Sequence, residues 1–423
     1  MNTSAESSVT REKPAAVEGM SYPLVAFIYL AVLCLAYAIN AADRQLFPTL
    51  LNPIRAEYGW NLQDTGLLST FFTAGLAVVG IPAGYIVDRA SRKLIIVGAM
   101  VLYSLFTLAT IYALGFWDML IYRAVTGIGE GIQMAALFAV VGSFFYKKRS
   151  FYIGWMIVAY GGGAWAGPKV GVWLQLTAQN WRTPFVWFTV IGVVLALIVL
   201  VFVPKTFTES KGPQATSAVD QASIAHMPTN LWNRNVILAF VGCLILGFSL
   251  YGFLGLYAVY LREVLKFAGP DIGTAFSWFG MGGLLSFAGG WCGDKFPQRW
   301  VIAVAFACLA AVGFSIYNVA TTVEVQSLLT FLTGFFGSAF VFVNLLSLLQ
   351  RSVRPSMIGL ASGIFLTSVF GAGAVAGYLM GWLVQIFGWG NAALIELTLF
   401  PIIAIVAMAL IDPKQLIGGA KKA

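Results

Sequence analysis

Residues 84–93 of the chain read GYIVDRASRK, and residues 290–299 read GWCGDKFPQR. Each stretch begins with glycine, carries an aspartate four residues later and lies between two long apolar runs. The two aspartates, Asp88 and Asp294, are separated by about half of the 423-residue chain. A repeat at this spacing predicts that the chain consists of two homologous halves.

The repeated loop also predicts a gate. One copy alone is typical of positive charge at a tight turn on a membrane surface, but the repetition favours a functional role. Glycine allows helices to approach closely, aspartate can pair with a helix end or an arginine, and basic residues hold the loop at the surface. The candidate gating residues are Gly84, Asp88, Arg89, Arg92, Gly290, Asp294 and Arg299.

The composition places the apolar runs in a membrane. Hydrophobic residues make up 59% of the chain and charged residues only 10%, whereas soluble proteins carry about 25% charged residues. Runs of about 18 apolar residues cross a hydrocarbon core of roughly 30 Å as helices. We predict an all-α integral membrane fold with twelve transmembrane helices in two pseudo-symmetric six-helix bundles. Spans are expected near residues 22–47, 66–87, 94–114, 117–144, 151–174, 183–203, 236–260, 272–292, 300–320, 325–349, 357–387 and 390–411.

Polar stretches divide the chain into five parts. We predict an N-terminal tail over residues 1–20, a bundle over 21–204, a flexible linker over 205–233, a bundle over 234–412 and a tail over 413–423. The loops and tails on one side of the spans hold most of the lysine and arginine, so that side, with both termini, is expected to be cytoplasmic. No cleavable signal peptide is expected, and short loops suit a bacterial inner (plasma) membrane.

Several classes of function are not expected. The net charge of +8 is spread along the chain and forms no single patch, so nucleic acid is not an expected partner. The four cysteines fall inside spans without a disulfide or metal spacing. The one histidine, His226, has no nucleophile, metal site or phosphate loop beside it. We therefore expect no enzyme activity, no metal and no cofactor.

The doubled loop resembles the signature of the major facilitator superfamily, and the resemblance covers essentially the whole chain. It implies two six-helix bundles, a central cavity lined by helices 1, 4, 7 and 10, and rocker-switch alternating access. The second copy departs from the family pattern, with Lys295 at a common arginine position and Pro297 and Gln298 ahead of Arg299. The resemblance therefore implies a weaker second gate.

Ionisable residues inside the spans require a structural or functional explanation, because inserting each one near a helix centre costs about 2.5–3.5 kcal/mol of free energy. Span 4 carries Arg123 and Glu130, which lie on one helix face about 10 Å apart. Asp43 of span 1 is expected near the depth of Arg123 and can pair with it, while the adjacent Arg44 points about 100° away. These residues are either structural ion pairs or a functional site. We favour a functional site, because buried pairs stabilise a fold less than apolar packing does.

Two segments carry a more specific resemblance. Residues 40–44 (NAADR) and 123–131 (RAVTGIGEG) resemble both the anion:cation symporters and the bacterial spinster-like transporters. The first family implies that Asp43 and Glu130 couple protons and that both arginines bind or neutralise the anion. Its members carry sugar acids and other carboxylates, whereas the spinster-like group implies amphipathic or lipid substrates.

The second half of the chain is expected to shape the substrate pocket. Residues 250–254 (LYGFL) in span 7 also resemble the anion:cation family, although its usual proline near residue 257 is absent. Spans 7 and 10 present hydroxyl and amide groups without an obvious buried charge. The candidate substrate-binding residues are Arg44, Arg123, Tyr37, Asn40, Gln133, Tyr251, Tyr257 and Asn344.

Spans 5 and 12 carry further polar features. Residues 163–171 (GAWAGPKVG) resemble a motif associated with antiporters, but small residues at this spacing mainly allow helices to pack closely. Lys169 either reaches the outer surface or adds a cation to the anion site. Glu396 lies near the start of a span expected to be peripheral, so we interpret it as interfacial.

These observations favour a proton-coupled importer of a small organic anion, acting as a monomer in the lipid bilayer. The alternative is a proton-linked exporter of amphipathic or lipid-like compounds. A membrane sensor or scaffold is a third class, but it would need a soluble domain that the short termini do not supply.

Overall fold

A computed structural model of the protein describes residues 23–60, 62–210 and 226–417. Within these ranges all regular secondary structure is helical. The predicted tail over 1–20, linker residues 211–225 and the final residues 418–423 lie outside the described residues.

Six long helices form the first half. They are α1 (Leu24–Thr49), α2 (Leu62–Arg89), α3 (Arg92–Ala109), α4 (Phe116–Phe144), α5 (Arg149–Ala178) and α6 (Arg182–Phe202). Short helices, Leu51–Tyr58 and Lys205–Thr208, follow α1 and α6. Helices are the expected solution, because backbone N–H and C=O groups in hydrocarbon must be satisfied within the segment.

Six more spans form the second half. They are α7 (Arg234–Glu263), α8 (Gly269–Gly283 and Ser286–Lys295), α9 (Gln298–Asn318), α10 (Val323–Arg351), α11 (residues 358–387) and α12 (residues 389–409). Gly388 separates α11 from α12 with a positive φ of 75°, a conformation that glycine adopts without strain. Two stretches are π-helical, Gly334–Phe342 in α10 and Leu394–Leu399 in α12.

The lengths and surfaces of these helices fit a membrane protein. Nine helical segments of the described chain are long and apolar enough to span a membrane, and the segment Pro355–Ala409 contains both α11 and α12. The helix α5 and the interrupted α8 complete the twelve. Large apolar side chains such as Val78 and Val201 are about 70% exposed, as is suitable against lipid. The predicted all-α membrane fold is confirmed.

The two halves repeat one packing pattern. In the first half α1 packs on α5, α2 on α4 and α3 on α6; in the second α7 packs on α11, α8 on α10 and α9 on α12. The halves meet mainly through α2 with α11 and α5 with α8. Glycine permits this approach: a Cβ atom at Gly80 of α2 would lie 2.6 Å from the carbonyl oxygen of Gly363 in α11.

Candidate functional site

A polar cluster lies inside the first bundle, between α1 and α4. Arg44 Nε is 3.0 Å from Glu130 Oε2 and forms an ion pair with it. Arg44 Nη2 also donates to Asn40 Oδ1 at 3.3 Å, and Asn40 Nδ2 donates to Gln133 Oε1 at 2.7 Å. Asn40 and Arg44 are four residues apart and therefore share one helix face. We call these four residues the Arg44 cluster; all of them except Arg44 are fully buried.

Aromatic rings surround the Arg44 guanidinium. Its Cζ atom lies 5.7 Å from the ring centre of Phe72, 5.4 Å from Tyr160 and 5.5 Å from Phe370. Phe370 belongs to α11, so the charge faces the second bundle. These rings could not be identified from sequence, because aromatic residues in apolar spans look like ordinary membrane core. The geometry places a cation between the two bundles in an aromatic, largely buried environment.

Asp43 and Arg123 occupy a neighbouring site. Asp43 Oδ2 accepts a hydrogen bond from the Thr107 hydroxyl at 2.8 Å. The Arg123 guanidinium lies 4.7 Å from the ring centre of Phe47 and 4.6 Å from that of Phe72. Asp43 and Arg123 are close enough to interact electrostatically.

The direct ion pair in this region differs from the Asp43–Arg123 pair that the expected depths of these residues in the membrane suggested. Arg44 pairs with Glu130, whereas Arg123 makes no direct ion pair among the described residues and its buried Nε has no hydrogen-bond partner there. Glu130 is a shared neighbour, because it pairs with Arg44 and also interacts with Asp43, which has Arg123 and Thr107 as its further partners.

Two tyrosines complete the surroundings of the cluster. Tyr37 is buried, with ring centres 5.6 Å from Phe138 and 5.3 Å from Tyr160. Tyr251 of α7 packs 6.0 Å from Phe370 and lies within electrostatic range of Arg44. The structure thus brings together six of the eight candidate substrate-binding residues: Arg44, Arg123, Tyr37, Asn40, Gln133 and Tyr251.

Tyr257 and Asn344 lie elsewhere, contrary to expectation. The Tyr257 hydroxyl donates to Gln326 Oε1 at 3.0 Å inside the second bundle, one and a half turns from Tyr251 on α7. Asn344 Nδ2 donates to the carbonyl oxygen of Gly289 at 2.9 Å, so this side chain lies at the second repeated loop. Neither residue is placed beside the Arg44 cluster.

The first repeated loop joins the two bundles. Asp88 accepts hydrogen bonds from the backbone N–H groups of Gly359 and Leu360 at 2.7 and 2.8 Å, at the N-terminus of α11. A helix N-terminus favours a negative charge. Arg92 Nη2 lies 3.8 Å from Asp88. At Gly84 a Cβ atom would lie 2.4 Å from the carbonyl oxygen of Gly359, so this position needs glycine.

The second repeated loop makes the equivalent contact with the first bundle. Asp294 accepts hydrogen bonds from the backbone N–H groups of Ser150 and Phe151 at 3.2 and 2.9 Å, at the N-terminus of α5. Arg351 of α10 forms an ion pair with Asp294. At Gly290 a Cβ atom would lie 2.1 Å from the carbonyl oxygen of Ser150, which again requires glycine.

The two loops differ in the source of the positive charge. Gln298 occupies the position that Arg92 has in the first copy, and its Nε2 donates to the Asn344 carbonyl oxygen at 3.1 Å. Arg351 supplies the missing charge from another helix. Arg299 is directed away from this contact and donates to the carbonyl oxygen of Ile411 at 2.9 Å. The positive charge that the second loop lacks at position 298 is therefore supplied by Arg351 of α10.

Arg89 lies outside the bridging contacts of the first loop. Its guanidinium is 3.4 Å from the ring centre of Tyr85 and it donates to the carbonyl oxygen of the same residue at 3.4 Å. Both side chains are exposed. This arrangement suits a residue that holds the loop at the membrane surface.

Further hydrogen bonds close this end of the molecule, which we call the motif side. Gln350 Nε2 of α10 donates to the carbonyl oxygen of Phe138 in α4 at 3.0 Å, and the Ser150 hydroxyl donates to that of Ser347 at 2.7 Å. These hydrogen bonds could not be predicted from sequence, because a single polar side chain in an apolar span does not reveal its partner.

Glu209 secures the first loop from the start of the linker. Its carboxylate accepts hydrogen bonds from the backbone N–H groups of Arg92 and Lys93, both at 3.1 Å, and from the Ser91 hydroxyl at 2.8 Å. Partial burial alone would raise the pKa of Glu209, but these hydrogen bonds outweigh it and lower the pKa below its usual value. Glu209 therefore acts as a charged cap on α3.

The features of α5 and α12 have different outcomes. Cβ atoms at Gly163 and Gly167 would lie within 3 Å of the α1 backbone, so the glycines of α5 serve close packing. Lys169 is exposed, with its Nζ 3.7 Å from the ring centre of the exposed Trp165. Glu396 is fully buried, so its interpretation as an interfacial residue is wrong: α12 turns this side chain toward α7.

One cavity of the described chain lies away from these residues. It has a volume of about 560 Å³ between α8 and α10 and is lined by Thr274, Trp278, Glu324 and other residues. Its lining contains none of the candidate site residues, and we assign it no role.

Comparison with known proteins gives one family match. A sequence profile of the Major Facilitator Superfamily matches residues 33–377. The chain is similar to the hexuronate transporter of Bacillus subtilis (strain 168), with 27% identity over 280 residues, which is 64% of each chain. It is similar to the multidrug transporter protein MdtP of the same strain, with 25% identity over 56% of this chain and 42% of the relative. The chain thus spans less than two thirds of the length of these two relatives.

Two further similarities extend over more of the chain. The probable 4-methylmuconolactone transporter of Cupriavidus pinatubonensis (strain JMP 134 / LMG 1197) is 26% identical over 361 residues, covering 81% of this chain and 80% of the relative. The crystal structure of the transporter FucP in the outward conformation superimposes with a TM-score of 0.72 at 17% identity, over 91% of this chain and 99% of that one. At this identity the structural similarity concerns the fold alone.

Proposed function

Because the chain belongs to the Major Facilitator Superfamily, whose fold it has and whose named relatives are transporters, we propose that it is a secondary active transporter that imports a small organic anion together with protons. The observation that carries the proposal is the Arg44–Glu130 ion pair. It places one cation and one carboxylate in a largely buried site that faces the other bundle. The hexuronate transporter, a relative named for an organic anion, supports the substrate class.

Arg44 is the proposed contact for the substrate. Its planar guanidinium matches a carboxylate in two parallel hydrogen bonds and stacks on aromatic rings at the same time. The rings of Phe72, Tyr160 and Phe370 lower the polarity of its surroundings, which strengthens an ionic contact. Arg123 lies one layer behind and acts through its charge.

Glu130 and Asp43 are the proposed proton carriers. While Glu130 is ionised, its carboxylate forms an ion pair with the Arg44 guanidinium, as in the present structure. A proton on Glu130 removes that charge and leaves the guanidinium free to pair with a substrate carboxylate. Asp43 interacts electrostatically with Arg123 and Glu130 and can hold a second proton. Proton and anion therefore enter the site together.

The two aspartates of the repeated loops are the proposed gate. Asp88 and Asp294 hold the motif side closed by capping α11 and α5 of the opposite bundles. Breaking these contacts would let the bundles rock and expose the Arg44 cluster on that side. We propose that the motif side is cytoplasmic, that both termini face the cytoplasm of a bacterial inner membrane, and that one chain suffices for transport.

The test is substrate-dependent acidification inside proteoliposomes that contain a pH-sensitive dye. Uronic acids, aromatic acids and lysolipids are added outside. We expect acidification with one class of carboxylate, and its loss in Glu130→Gln. Glu263→Gln is the matched control, because Glu263 is exposed at the end of α7. Acidification that persists in Glu130→Gln would remove Glu130 from the coupling mechanism.

Export of amphipathic compounds is the second candidate. It is favoured by the similarity to the multidrug transporter MdtP and by the three aromatic rings around Arg44. In the same vesicles, alkalinisation on adding lysolipids, with no response to any small acid, would support export and contradict anion symport.

A further inference from the structure

Glu396 is a buried acid that the proposed transport cycle does not use. Its side chain is fully buried in α12, and neither carboxylate oxygen has a hydrogen-bond partner among the described residues. Glu396 also forms no ion pair among the described residues. An ionised carboxylate in such surroundings would be strongly unfavourable, so this group must be neutralised by a proton or a bound cation.

The surroundings are shaped to hold this carboxyl group. At Gly252 of α7 a Cβ atom would lie 2.4 Å from Glu396 Oε1, so any other residue there would displace the carboxyl. Ser249, about one turn earlier on α7, has a buried hydroxyl without a hydrogen-bond partner. The same holds for the Tyr317 hydroxyl of α9, which is in electrostatic range of Glu396. Three unpartnered polar groups from three helices thus lie in one region.

A small cavity lies beside these groups. It has a volume of about 10 Å³ and is lined by residues of α7, α9, α10 and α12, including Ser249, Thr333 and Leu397. This is room for about one water molecule. A hard metal cation needs about six oxygen ligands, and among the residues that line this cavity only Ser249 and Thr333 carry a side-chain oxygen. The space and the donor set therefore favour a proton over a metal ion.

The helices around the cavity have irregular geometry. Glu396 lies within the π-helical segment Leu394–Leu399, and the π-helical segment Gly334–Phe342 of α10 starts directly after Thr333. Such segments occur frequently at functional sites. The titratable groups that face Glu396 are the phenol of Tyr317 and, through it, those of Tyr257 and Tyr260 on α7.

We infer that Glu396 is a proton-binding site of the second bundle, separate from Asp43 and Glu130. It carries a proton in the present conformation, in which Gly252 of α7 closes over it. A movement of α7 relative to α12 that admits water would allow the proton to leave. The inference depends on neither the substrate nor the direction of transport.

Infrared spectroscopy of the purified full-length protein in lipid tests this site directly, because protonated carboxylic acids absorb separately from carboxylates and amides. Near neutral pH, Glu396→Gln should lose the band of one carboxylic acid per chain relative to wild type. Glu263→Gln, which removes an exposed glutamate, should leave the acid bands unchanged. Elution as wild type in size-exclusion chromatography identifies folded variants.

Glu396→Asp keeps the proposal testable if the glutamine variant does not fold. It should retain an acid band at a shifted frequency. The inference is overturned if Glu396→Gln loses carboxylate absorption instead of acid absorption, or if Glu396→Asp leaves every acid band in place. Because no substrate is added, failure here is distinguishable from failure of the proposed transport.

Discussion

Replacing Asp88 with asparagine is expected to open the motif side. Asp88 accepts two backbone hydrogen bonds, from Gly359 at 2.7 Å and Leu360 at 2.8 Å. Hydrogen bonds to a charged group contribute about 1.5–3 kcal/mol each. Asparagine has one carbonyl oxygen and no charge, so one bond is lost and the other is weakened. The closed state should lose about 2–4 kcal/mol, which shifts the equilibrium about 30- to 700-fold toward opening.

The distance between the bundles measures this shift. Spin labels at Lys147 and Lys414, which are exposed on the motif side of the two bundles, are introduced after the four native cysteines are replaced. Pulsed electron resonance should show a longer distance in Asp88→Asn. Asp118→Asn is the matched control, because Asp118 caps the backbone N–H of Leu114 at 3.0 Å within the first bundle at the opposite end.

The control separates loss of a cap from loss of a bridge. If Asp88→Asn and Asp118→Asn both keep the wild-type distance distribution, the aspartate does not hold the bundles together and the gate assignment is wrong. If both lengthen it, capping has a general effect on stability and the specific argument for Asp88 fails.

Three further outcomes are expected. Arg44→Lys should raise the KM for the anion at least about tenfold in concentration-dependent uptake. The reason is that an ammonium cannot both pair with a carboxylate and stack on aromatic rings as a guanidinium does. A wild-type KM would exclude Arg44 as the anion contact. Gly84→Ala should lower the Tm, because the new Cβ atom would lie 2.4 Å from a carbonyl oxygen. Gly98→Ala should not lower it, because a Cβ atom there has no atom within 4 Å. Equal Tm values for the two variants would contradict the close-approach argument. Hydrogen bonding by Arg182 lowers the pKa of Glu57, so the Glu57 carboxylate stabilises the fold above its unfolded pKa of about 4.3. This stabilisation is lost as the pH falls through the lower pKa of the folded state. The Tm difference between wild type and Glu57→Gln should therefore shrink in acid, and a difference that grows would refute the sign.

The membrane fold and the contacts of the two repeated aspartates could be predicted because their signals are local or repeated. Apolar length alone determines a span, and the glycine–aspartate loops occur twice at half-chain spacing. The sequence predicts that Asp88 and Asp294 pair with a helix end or an arginine, and the structure has both kinds of contact at each. Their partners could not be named, since a backbone N–H at a helix start carries no residue type.

The pairing inside the bundle could not be predicted, because it depends on how each helix is rotated about its axis. Depth suggested Asp43 with Arg123, whereas rotation directs Arg44 to Glu130 and leaves Arg123 between Phe47 and Phe72. Aromatic partners of a cation leave no pattern in a membrane segment that is rich in phenylalanine.

Irregular helices account for two further misplacements. Asn344 follows the π-helical segment Gly334–Phe342, and a π turn holds more residues than an α turn, so the residues after it rotate to another face. Glu396 lies inside a second π-helical segment. The rotation of a side chain in or after a π-helical segment cannot be read from the residue pattern, so the sequence alone does not identify the neighbours of Asn344 or Glu396.

The use of Arg351 where the second loop has Gln298 has a consequence for how related sequences diverge. The charge beside Asp294 can come either from position 298, next to it along the chain, or from position 351 on another helix. If the contact of Asp294 requires one neighbouring positive charge, either position can lose arginine only when the other carries it. Across related chains, arginine should therefore alternate between positions 298 and 351, and Gln298→Arg should relieve the loss of Arg351.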